Sequence, residues 1–382
     1  MFGTFSVAGP GTGAMATAPP PPPALCRGVA EAIAGGSWQA ATATGMTDRW
    51  NKIAILDGPG CPQADLYEWL PSSCRLERRA RKSFCGRHIA FIGASLLEQS
   101  FTSLSLMLKS LPGIRCQTRK VLGAWVESFE CVAGNATCSI TLSYVLSRFL
   151  CFDDCQRTEY RDTGTGPHHV GVHVSLNELE SLSPALSPFP IRGADLVFGT
   201  GPWWTSSHPN MDIGQRAVHA ILQANTRKCF QLATLLNASS IHFRTLWPGH
   251  QGCGQYKDKG PLTSVPVLRP PAPYGWDEVL PINRLIAREC SAEPSCVIHD
   301  LEDMSALSPD AHSSWRNNWR GQTANSTNPW ANPNLDCLHW CSFGGLIEWA
   351  NVILHNQLSS MQSVDDSSVH SSRSPAWQPA WE

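Results

Sequence analysis

Four short apolar runs with the length of buried strands alternate along this chain with segments of helical spacing. The runs are residues 88–93, 195–198, 240–244 and 296–300. Residues 96–108 and 345–358 place apolar side chains on one helical face. Buried strands that alternate with helices are typical of a parallel sheet covered on both faces. The sequence therefore predicts an α/β fold, in which functional sites lie at the carboxyl ends of the strands.

Fifteen cysteines are spread along most of the 382 residues. This distribution favours disulfides in an oxidising compartment over one metal site, and the odd number leaves at least one thiol unpaired within the chain. The pairings stay open. Three N-x-S/T sequons, at Asn135, Asn237 and Asn325, agree with that compartment. We therefore expect the secretory pathway, with the Golgi lumen, membrane association and secretion as the alternatives.

Targeting and charge narrow the class further. The chain has no run of 18 apolar residues, so no transmembrane helix is predicted. Its first residues lack the basic start of a signal peptide, which leaves unconventional targeting or a missing N-terminal anchor as alternatives. Only 16% of the residues are charged and the net charge is −2, so nothing attracts nucleic acid or an anionic membrane.

Composition divides the chain into three parts. Residues 1–25 are rich in glycine, alanine and proline and predict a flexible stem. Residues 26–360 predict one folded domain. Residues 361–382 are rich in serine and predict a disordered tail.

Ser95 is the first candidate for chemistry. It follows the strand of residues 88–93 at the turn Gly93-Ala94-Ser95 and precedes a helix. A serine at this place lies beside a helix N-terminus, whose backbone N–H groups can stabilise an oxyanion. Gly93 permits a tight backbone. The alternative is that Ser95 only caps the helix, which is common for serine.

The second candidate is the run Asp336-Cys337-Leu338-His339-Trp340-Cys341. An aspartate and a histidine three residues apart can face one side of a turn, where the carboxylate orients the ring and the ring deprotonates a serine. A structural histidine in a disulfide-braced loop is one alternative. A metal site built from Cys337, His339 and Cys341 is another, but this spacing is tighter than that of zinc ligands, so no metal is predicted.

These residues carry a resemblance to a known family. Gly93-Ala94-Ser95-Leu96 resembles the GDS motif of SGNH-type esterases, and residues 336–341 resemble the D-C-x-H-W-C signature of the plant trichome-birefringence-like, or PC-esterase, family. Further blocks agree in order, at residues 26–38, 67–74, 196–204 and 243–250. The resemblance covers roughly residues 26–358. It implies an SGNH-hydrolase-like parallel sheet flanked by helices, braced by disulfides and carrying loop insertions.

The resemblance also implies a reaction, which is O-acetyl transfer to polysaccharide hydroxyls in the Golgi lumen by a Ser-His-Asp mechanism. Carried over by position, Ser95 is the nucleophile, His339 the general base and Asp336 the residue that orients it. The backbone N–H of Ser95 and the Gly199 turn are the candidate oxyanion donors. The expected partner is a glycan acceptor. No bound cofactor is implied, and an acetyl donor, with acetyl-CoA as one candidate, enters as co-substrate.

The sequence departs from the family pattern at three positions. Ala94 replaces the aspartate of GDS, which we expect to affect the support of the turn more than the chemistry. Gly199 replaces the asparagine of the F-N-T-G block, so a side-chain oxyanion donor is lacking, a loss that costs on the order of 100- to 1000-fold in rate elsewhere. Pro202 replaces a residue that is often histidine.

Three further residues are candidate substrate contacts, each with a structural alternative. Trp203 and Trp204 suit the faces of sugar rings but also suit a core, and we expect at most one to face substrate. Arg244 at a strand end could bind a carboxylated sugar or a donor phosphate, although a structural hydrogen-bond network is the favoured interpretation. Asp310 and His312 form a second Asp/His pair that ranks below Asp336 and His339.

Two rival functions remain at this point. An acetyl esterase uses the same three residues, and the access of water and of the acceptor decides between hydrolysis and transfer. A glycan-binding protein without catalysis is the rival from another class, and Ala94 and Gly199 give it weight.

Overall fold

The structure is a computed structural model that describes residues 23–41, 66–77, 84–109, 114–121, 124–133, 136–147, 150, 191–205, 215–250, 252–256, 259–266, 273–312, 337–341 and 345–369. Seven of the strands in these ranges form one sheet, which is ordered β4-β5-β6-β3-β7-β8-β9. They are β3 (His88–Gly93), β4 (Ile114–Val121), β5 (Ala124–Ala133), β6 (Ala136–Leu146), β7 (Asp195–Gly199), β8 (Ser240–Arg244) and β9 (Cys296–His299). A separate antiparallel pair joins β1 (Ser37–Ala40) and β2 (Tyr67–Leu70).

The helices follow the strands in the order expected of an α/β fold. They are α1 (Val29–Ile33), α2 (Ser95–Lys109), α3 (Gln215–Leu235), α4 (Val279–Ser291), α5 (Glu302–Ala306) and α6 (Leu346–Val369). Short 3-10 helices occupy Pro202–Trp204, Cys253–Tyr256, Pro273–Glu278 and Pro309–Ala311.

The predicted parallel sheet is confirmed. Strands β6, β3, β7, β8 and β9 run parallel to one another, and all four predicted strands are present. The sequence did not predict β4 and β5, which extend the sheet on one side as antiparallel strands. The carboxyl ends of β3 and β7 therefore lie side by side, with Gly93 in register with Gly199.

Alternating side chains of the sheet build a core on each face. Ile89 and Phe91 of β3 pack with the apolar side of α2 and the middle of α6. Ala90 and Ile92 of the same strand face the opposite core, which includes apolar residues of α3 and α4. Because both faces are covered, the middle residues of β3 and β7 are apolar on both sides, as the sequence indicated.

Three disulfides have both cysteines among the described residues, and they confirm the expectation of disulfide bracing. They are Cys26–Cys74, Cys253–Cys337 and Cys290–Cys296. Cys229 on α3 is a buried free thiol, and burial raises its pKa well above the usual value. The pattern agrees with the prediction that at least one cysteine stays unpaired.

Most of the predicted stem and part of the predicted tail, residues 1–22 and 370–382, lie outside the described residues. Helix α6 runs to Val369, so it enters the segment predicted to be disordered from 361. Extending an existing helix by one residue costs little compared with starting it, which lets a serine-rich segment continue α6. None of the helices in the described ranges is long and apolar enough to span a membrane.

A buried polar chain crosses the sheet below the site. Arg87 bonds both oxygens of Asp195, at 3.0 and 2.9 Å. Ser240 Oγ donates to Asp195 at 2.6 Å and lies 2.8 Å from His242 Nε2. His242 Nδ1 lies 3.0 Å from His299 Nε2. These three contacts beyond Arg87 are all satisfied when both imidazoles are neutral, since each ring then donates once towards Asp195.

Acidification is expected to destabilise the protein because four histidines, His242, His250, His299 and His355, are buried in the neutral form. Burial lowers the pKa of His242 to about 3 and those of His250 and His355 to about 4, and it lowers the pKa of His299 well below the usual value. Near pH 5 the unfolded chain therefore binds four protons at these residues that the folded chain does not. Asp310, whose pKa burial raises to about 6, offsets one of them. Three net protons give a loss of about 4 kcal/mol per pH unit near pH 5.

Urea denaturation at several pH values between 7.5 and 4.5 measures this slope. A His355→Gln variant should lose about one proton's share of it, near 1.4 kcal/mol per pH unit. A stability that is constant or rises on acidification in this range would contradict neutral burial of these rings.

Candidate active site

Ser95 is the first residue of α2 and lies directly beyond the end of β3. The carbonyl of Ala94 accepts the first helical hydrogen bonds, from Leu97 N at 2.9 Å and Glu98 N at 3.2 Å. The first N–H groups of an α-helix have no partner within the helix, so those of Ser95 and its successor point out at the positive end of α2. Ser95 is half-buried and can meet a ligand from solvent.

His339 lies in the short segment of residues 337–341, which is neither helix nor sheet strand but is fixed at several points. The Cys253–Cys337 disulfide holds its start, and His250 N donates to Cys337 O at 3.1 Å. Its end is held by Cys341 N, which donates to Ala311 O at 2.8 Å. A disulfide and tertiary hydrogen bonds, and not regular secondary structure, thus hold this loop in place.

The structure brings Ser95 and His339 together. Ser95 Oγ lies 2.9 Å from His339 Nε2, although 244 positions separate the two residues in the sequence. A neutral imidazole with its proton on Nδ1 accepts the Ser95 hydroxyl proton at this nitrogen. His339 is half-buried, like Ser95. Asp336, the predicted third member, lies outside the described residues, so its role stays a prediction.

Gln99 holds Trp340, the residue next to His339. The sequence analysis did not identify this role for Gln99. Its Nε2 donates to Trp340 O at 2.8 Å, and Trp340 N donates to its Oε1 at 3.3 Å. Gln99 lies four residues after Ser95, one turn further along the same face of α2. This spacing is the one sequence signal that could have identified it.

A pair of buried histidines stands behind the His339 backbone. His312 Nδ1 lies 3.0 Å from His339 O, His312 Nε2 lies 2.7 Å from His250 Nδ1, and His250 Nε2 lies 2.9 Å from Ala306 O. Three hydrogen bonds here need three protons on two rings, so all three form only when the pair carries one positive charge. Burial opposes this charge and lowers the pKa of His250 to about 4.

The predicted oxyanion region lies against the turn that carries Ser95. A Cβ on Gly201 would lie 3.0 Å from Ala94 Cβ, so the backbone after Gly199 approaches this turn closely. A Cβ on Gly199 would lie 3.1 Å from the side chain of Leu97. Leu97 therefore occupies the direction in which an asparagine at position 199 would begin, and the oxyanion donors available at this position are backbone groups.

The turn has other supports where the family's aspartate is replaced by Ala94. Ser147 N donates to Gly93 O at 2.9 Å, and Tyr144 Oη donates to the same oxygen at 3.2 Å. Ala94 itself is fully buried. Strand β6 thus holds the end of β3 in place through its own C-terminal residues.

The two adjacent tryptophans occupy different environments. Trp204 is 1% exposed and belongs to the core. Trp203 is half-buried, and its indole edge lies beside Gly201, with Cδ1 2.9 Å and Nε1 3.1 Å from the position of a Cβ there. Of the two, Trp203 is the one placed near the Ser95 turn and in contact with solvent. Trp204 occupies the place of a core wedge, the structural alternative considered above.

Arg244 is placed in the core and not at the site surface. It is 1% exposed, and its Nη2 donates to Ala350 O at 3.1 Å and to Asn351 Oδ1 at 3.0 Å. Its guanidinium lies 5.6 Å from the centre of the Phe91 ring. Burial lowers its pKa to about 9. This placement favours the structural network over the substrate contact that was also predicted, because a substrate group would have to enter the core to reach it.

The second Asp/His pair and the metal alternative are also placed by the structure. His312 is 2% exposed and touches the His339 backbone, so it stands behind the site. Asp310 is buried, and desolvation raises its pKa to about 6. Cys337 and Cys341 are both disulfide-bonded, which takes their sulfurs out of consideration as thiolate ligands. Among the described residues no group of three or more metal-ligating side chains is found.

A family model matches most of the folded part of the chain. The model of the PC-Esterase family, a GDSL/SGNH-like acyl-esterase family found in Pmr5 and Cas1p, matches residues 81–357. The matched segment contains Ser95, His339 and the whole seven-stranded sheet. A search of curated proteins found no match.

Proposed function

Since the chain belongs to the PC-Esterase family of GDSL/SGNH-like acyl esterases, we propose that it transfers acetyl groups to hydroxyls of a polysaccharide through an acetyl-Ser95 intermediate. The observation that carries the proposal is the 2.9 Å contact between Ser95 Oγ and His339 Nε2. A serine hydroxyl at ordinary pKa is a weak nucleophile, and an adjacent imidazole is the usual means of activating it. Asp336 is proposed to orient this imidazole.

The first half of the proposed reaction acylates Ser95. His339 Nε2 takes the hydroxyl proton while Oγ attacks the acetyl carbonyl of the donor. The carbonyl oxygen becomes an oxyanion beside the N-terminus of α2, where the Ser95 N–H and the backbone near Gly199 are the proposed donors. The bond to the donor's leaving group then breaks, and His339 returns the proton to that group. The donor is a co-substrate, either an acetyl thioester such as acetyl-CoA or an O-acetyl ester.

The second half moves the acetyl group to the acceptor. A sugar hydroxyl gives its proton to His339 and attacks the acetyl carbonyl, and Ser95 Oγ leaves and recovers the proton. Trp203 is proposed to support a sugar ring, because it is the half-buried aromatic residue beside the Ser95 turn. We also propose that the protein works in the secretory pathway, and its three described disulfides support this because disulfides persist in oxidising compartments.

Hydrolysis of acetyl esters is the second candidate reaction. Ser95 and His339 are half-buried, so water as well as a sugar can reach the acetyl intermediate, and this exposure favours hydrolysis. Both reactions share the first half, so the acceptor alone separates them.

Labelling and acceptor competition test the proposal together. We expect a fluorophosphonate probe to modify the Ser95 peptide, located by mass spectrometry, and to leave Ser95→Ala unmodified. With 4-nitrophenyl acetate as donor, cello-, manno- or xylo-oligosaccharides should yield acetylated sugar at the expense of free acetate.

Two other outcomes would contradict the proposal. Release of acetate alone, unaffected by all three acceptors, would show that the protein hydrolyses acetyl esters and does not transfer the acetyl group. An unlabelled Ser95, no turnover of the ester and glycan binding that survives Ser95→Ala would together indicate a glycan-binding protein without catalysis.

A further inference from the structure

We propose that Gln99 is a positioning residue that keeps the His339 imidazole over Ser95 by gripping the backbone of Trp340. The inference rests on the proposed function, because it concerns how the base of that reaction is held. The two hydrogen bonds of the Gln99 side chain described above both go to the Trp340 backbone, and neither goes to Ser95 or to the imidazole.

The grip uses both halves of the side-chain amide. Nε2 donates to Trp340 O at 2.8 Å and Oε1 accepts from Trp340 N at 3.3 Å. A primary amide offers one donor and one acceptor in a plane, so it can hold both backbone groups of one residue, as a neighbouring strand would. Both translation and rotation of the Trp340 backbone are thereby restricted.

The grip begins on the element that carries the nucleophile. Ser95 and Gln99 are separated by one turn of α2, so their relative positions are fixed by the helix itself. Several other hydrogen bonds to the 337–341 segment come from loops and short 3-10 helices, among them those of His250, Cys253 and Ala311. Gln99 thus fixes the position of His339 relative to α2, the helix that also carries Ser95.

The contact between Ser95 and His339 depends on this grip, because proton transfer between Oγ and Nε2 tolerates only a small range of distance and orientation. The loop of His339 has no regular secondary structure of its own, so the place of the ring depends on the contacts that hold the loop backbone. A displacement of about 1 Å at a reacting group can cost on the order of 100-fold in rate. Losing the grip should therefore slow acylation of Ser95 more than it weakens substrate binding.

A merely structural role is the competing explanation, and the fold contains a matched case of it. Asn356 on α6 grips the backbone of Glu77 in the same manner, with Glu77 N donating to Oδ1 at 2.9 Å and Nδ2 donating to Glu77 O at 3.1 Å. None of its described hydrogen bonds involves Ser95, His339 or the 337–341 segment. Asn356→Leu therefore removes a grip of the same chemistry without touching the site.

The test compares Gln99→Met with Asn356→Leu in the full chain. We expect Gln99→Met to lower the rate of fluorophosphonate labelling at Ser95 and kcat for 4-nitrophenyl acetate by about 10- to 100-fold, with KM unchanged. Asn356→Leu should lower the melting temperature and keep kcat. If Gln99→Met labels at the wild-type rate, or if both variants lose kcat equally, the positioning role is overturned.

A second variant keeps the test decisive should Gln99→Met fold poorly. Gln99→Glu keeps the acceptor and loses the donor while ionised, but its protonated carboxyl again offers one of each. Its labelling rate relative to wild type should rise as the pH falls below about 5. A ratio that stays flat with pH would contradict the role of the donor.

The failure of this inference differs from the failure of the proposed function. If the wild-type protein is neither labelled at Ser95 nor active on the ester, the proposed function fails and this inference fails with it. If the wild type is labelled and active while Gln99 variants match it, only the positioning role fails.

Discussion

Replacing either Ser95 or His339 with alanine is expected to lower kcat for acetyl transfer by about 10⁴- to 10⁶-fold, while the folded structure persists. Each variant removes one member of the 2.9 Å pair that activates the nucleophile. Both side chains are half-buried beside the N-terminus of α2, so truncation leaves no large cavity in the core. The measurements are kcat, from the acetylated acceptor formed in reactions stopped at timed intervals, and the melting temperature of each variant.

The double variant is the sharper part of this prediction. Two residues that act as one unit are lost together when either is removed, so Ser95→Ala combined with His339→Ala should be no slower than the worse single variant. Ser100→Ala is the matched control, since it removes a buried hydroxyl of the same helix that bonds only Leu96 O among the described contacts. It should keep kcat. Fully additive losses would show that the two side chains act independently.

The strand-turn-helix that carries Ser95 could be predicted because its signal is local. Residues 88–93 form a continuous apolar run, and a run of that kind survives only between two covered faces of a sheet. The meeting of Ser95 with His339 could be anticipated from the family resemblance, not from spacing. Nothing in residues 337–341 alone determines their place, because disulfides and hydrogen bonds from four other segments hold them.

The antiparallel strands could not be predicted in the same way. Strand β4 has the sequence Ile-Arg-Cys-Gln-Thr-Arg-Lys-Val, which lacks a continuous apolar run. Its place in the sheet comes from a hairpin with β5 over eight residue pairs, and the strand preference of such a polar segment depends on the neighbouring strand more than on its own residues.

Buried polar groups were the other limit of the sequence. Arg244 was considered as a substrate contact because it stands at a strand end, although a structural network was the favoured interpretation. Its bonds to Ala350 and Asn351 depend on the docking of α6, more than 100 residues away in the sequence. Gln99 and His312 act on His339 through backbone groups, which carry no residue-specific signal. Only the three-dimensional structure shows which backbone atoms they meet.

Gly93→Ala is expected to be the most destabilising single-methyl change in the site region, with a loss of more than about 4 kcal/mol or no folded protein. A Cβ on Gly93 would overlap the carbonyl oxygen of Gly199 in the neighbouring strand. Gly93 is not among the residues with positive φ, so the requirement is for space and not for an unusual backbone conformation. The prediction from sequence that Gly93 permits a tight turn thus has a more specific cause, which is close approach of two strands.

The clash cannot be relieved cheaply, because Gly93 is held on both sides. It pairs with Leu146 of β6 and with Gly199 of β7, and its own carbonyl accepts from Ser147 N at 2.9 Å. Moving the strand to admit a methyl group would break these bonds and shift Ser95 away from His339. Any folded fraction should therefore also lose labelling at Ser95.

Two other glycines provide a graded comparison by urea denaturation. The atoms nearest to a Cβ on Gly199 would be those of the Leu97 side chain, at 3.1 Å, so Gly199→Ala should cost about 1 to 3 kcal/mol as Leu97 shifts. Gly86 has φ +72° and nothing within 4 Å of a Cβ, so Gly86→Ala should cost about 1 kcal/mol from backbone strain alone. If Gly93→Ala proved as stable as Gly86→Ala, β3 and β7 would not approach each other at this residue as closely as the structure shows, and the neighbouring oxyanion region would have to be placed elsewhere.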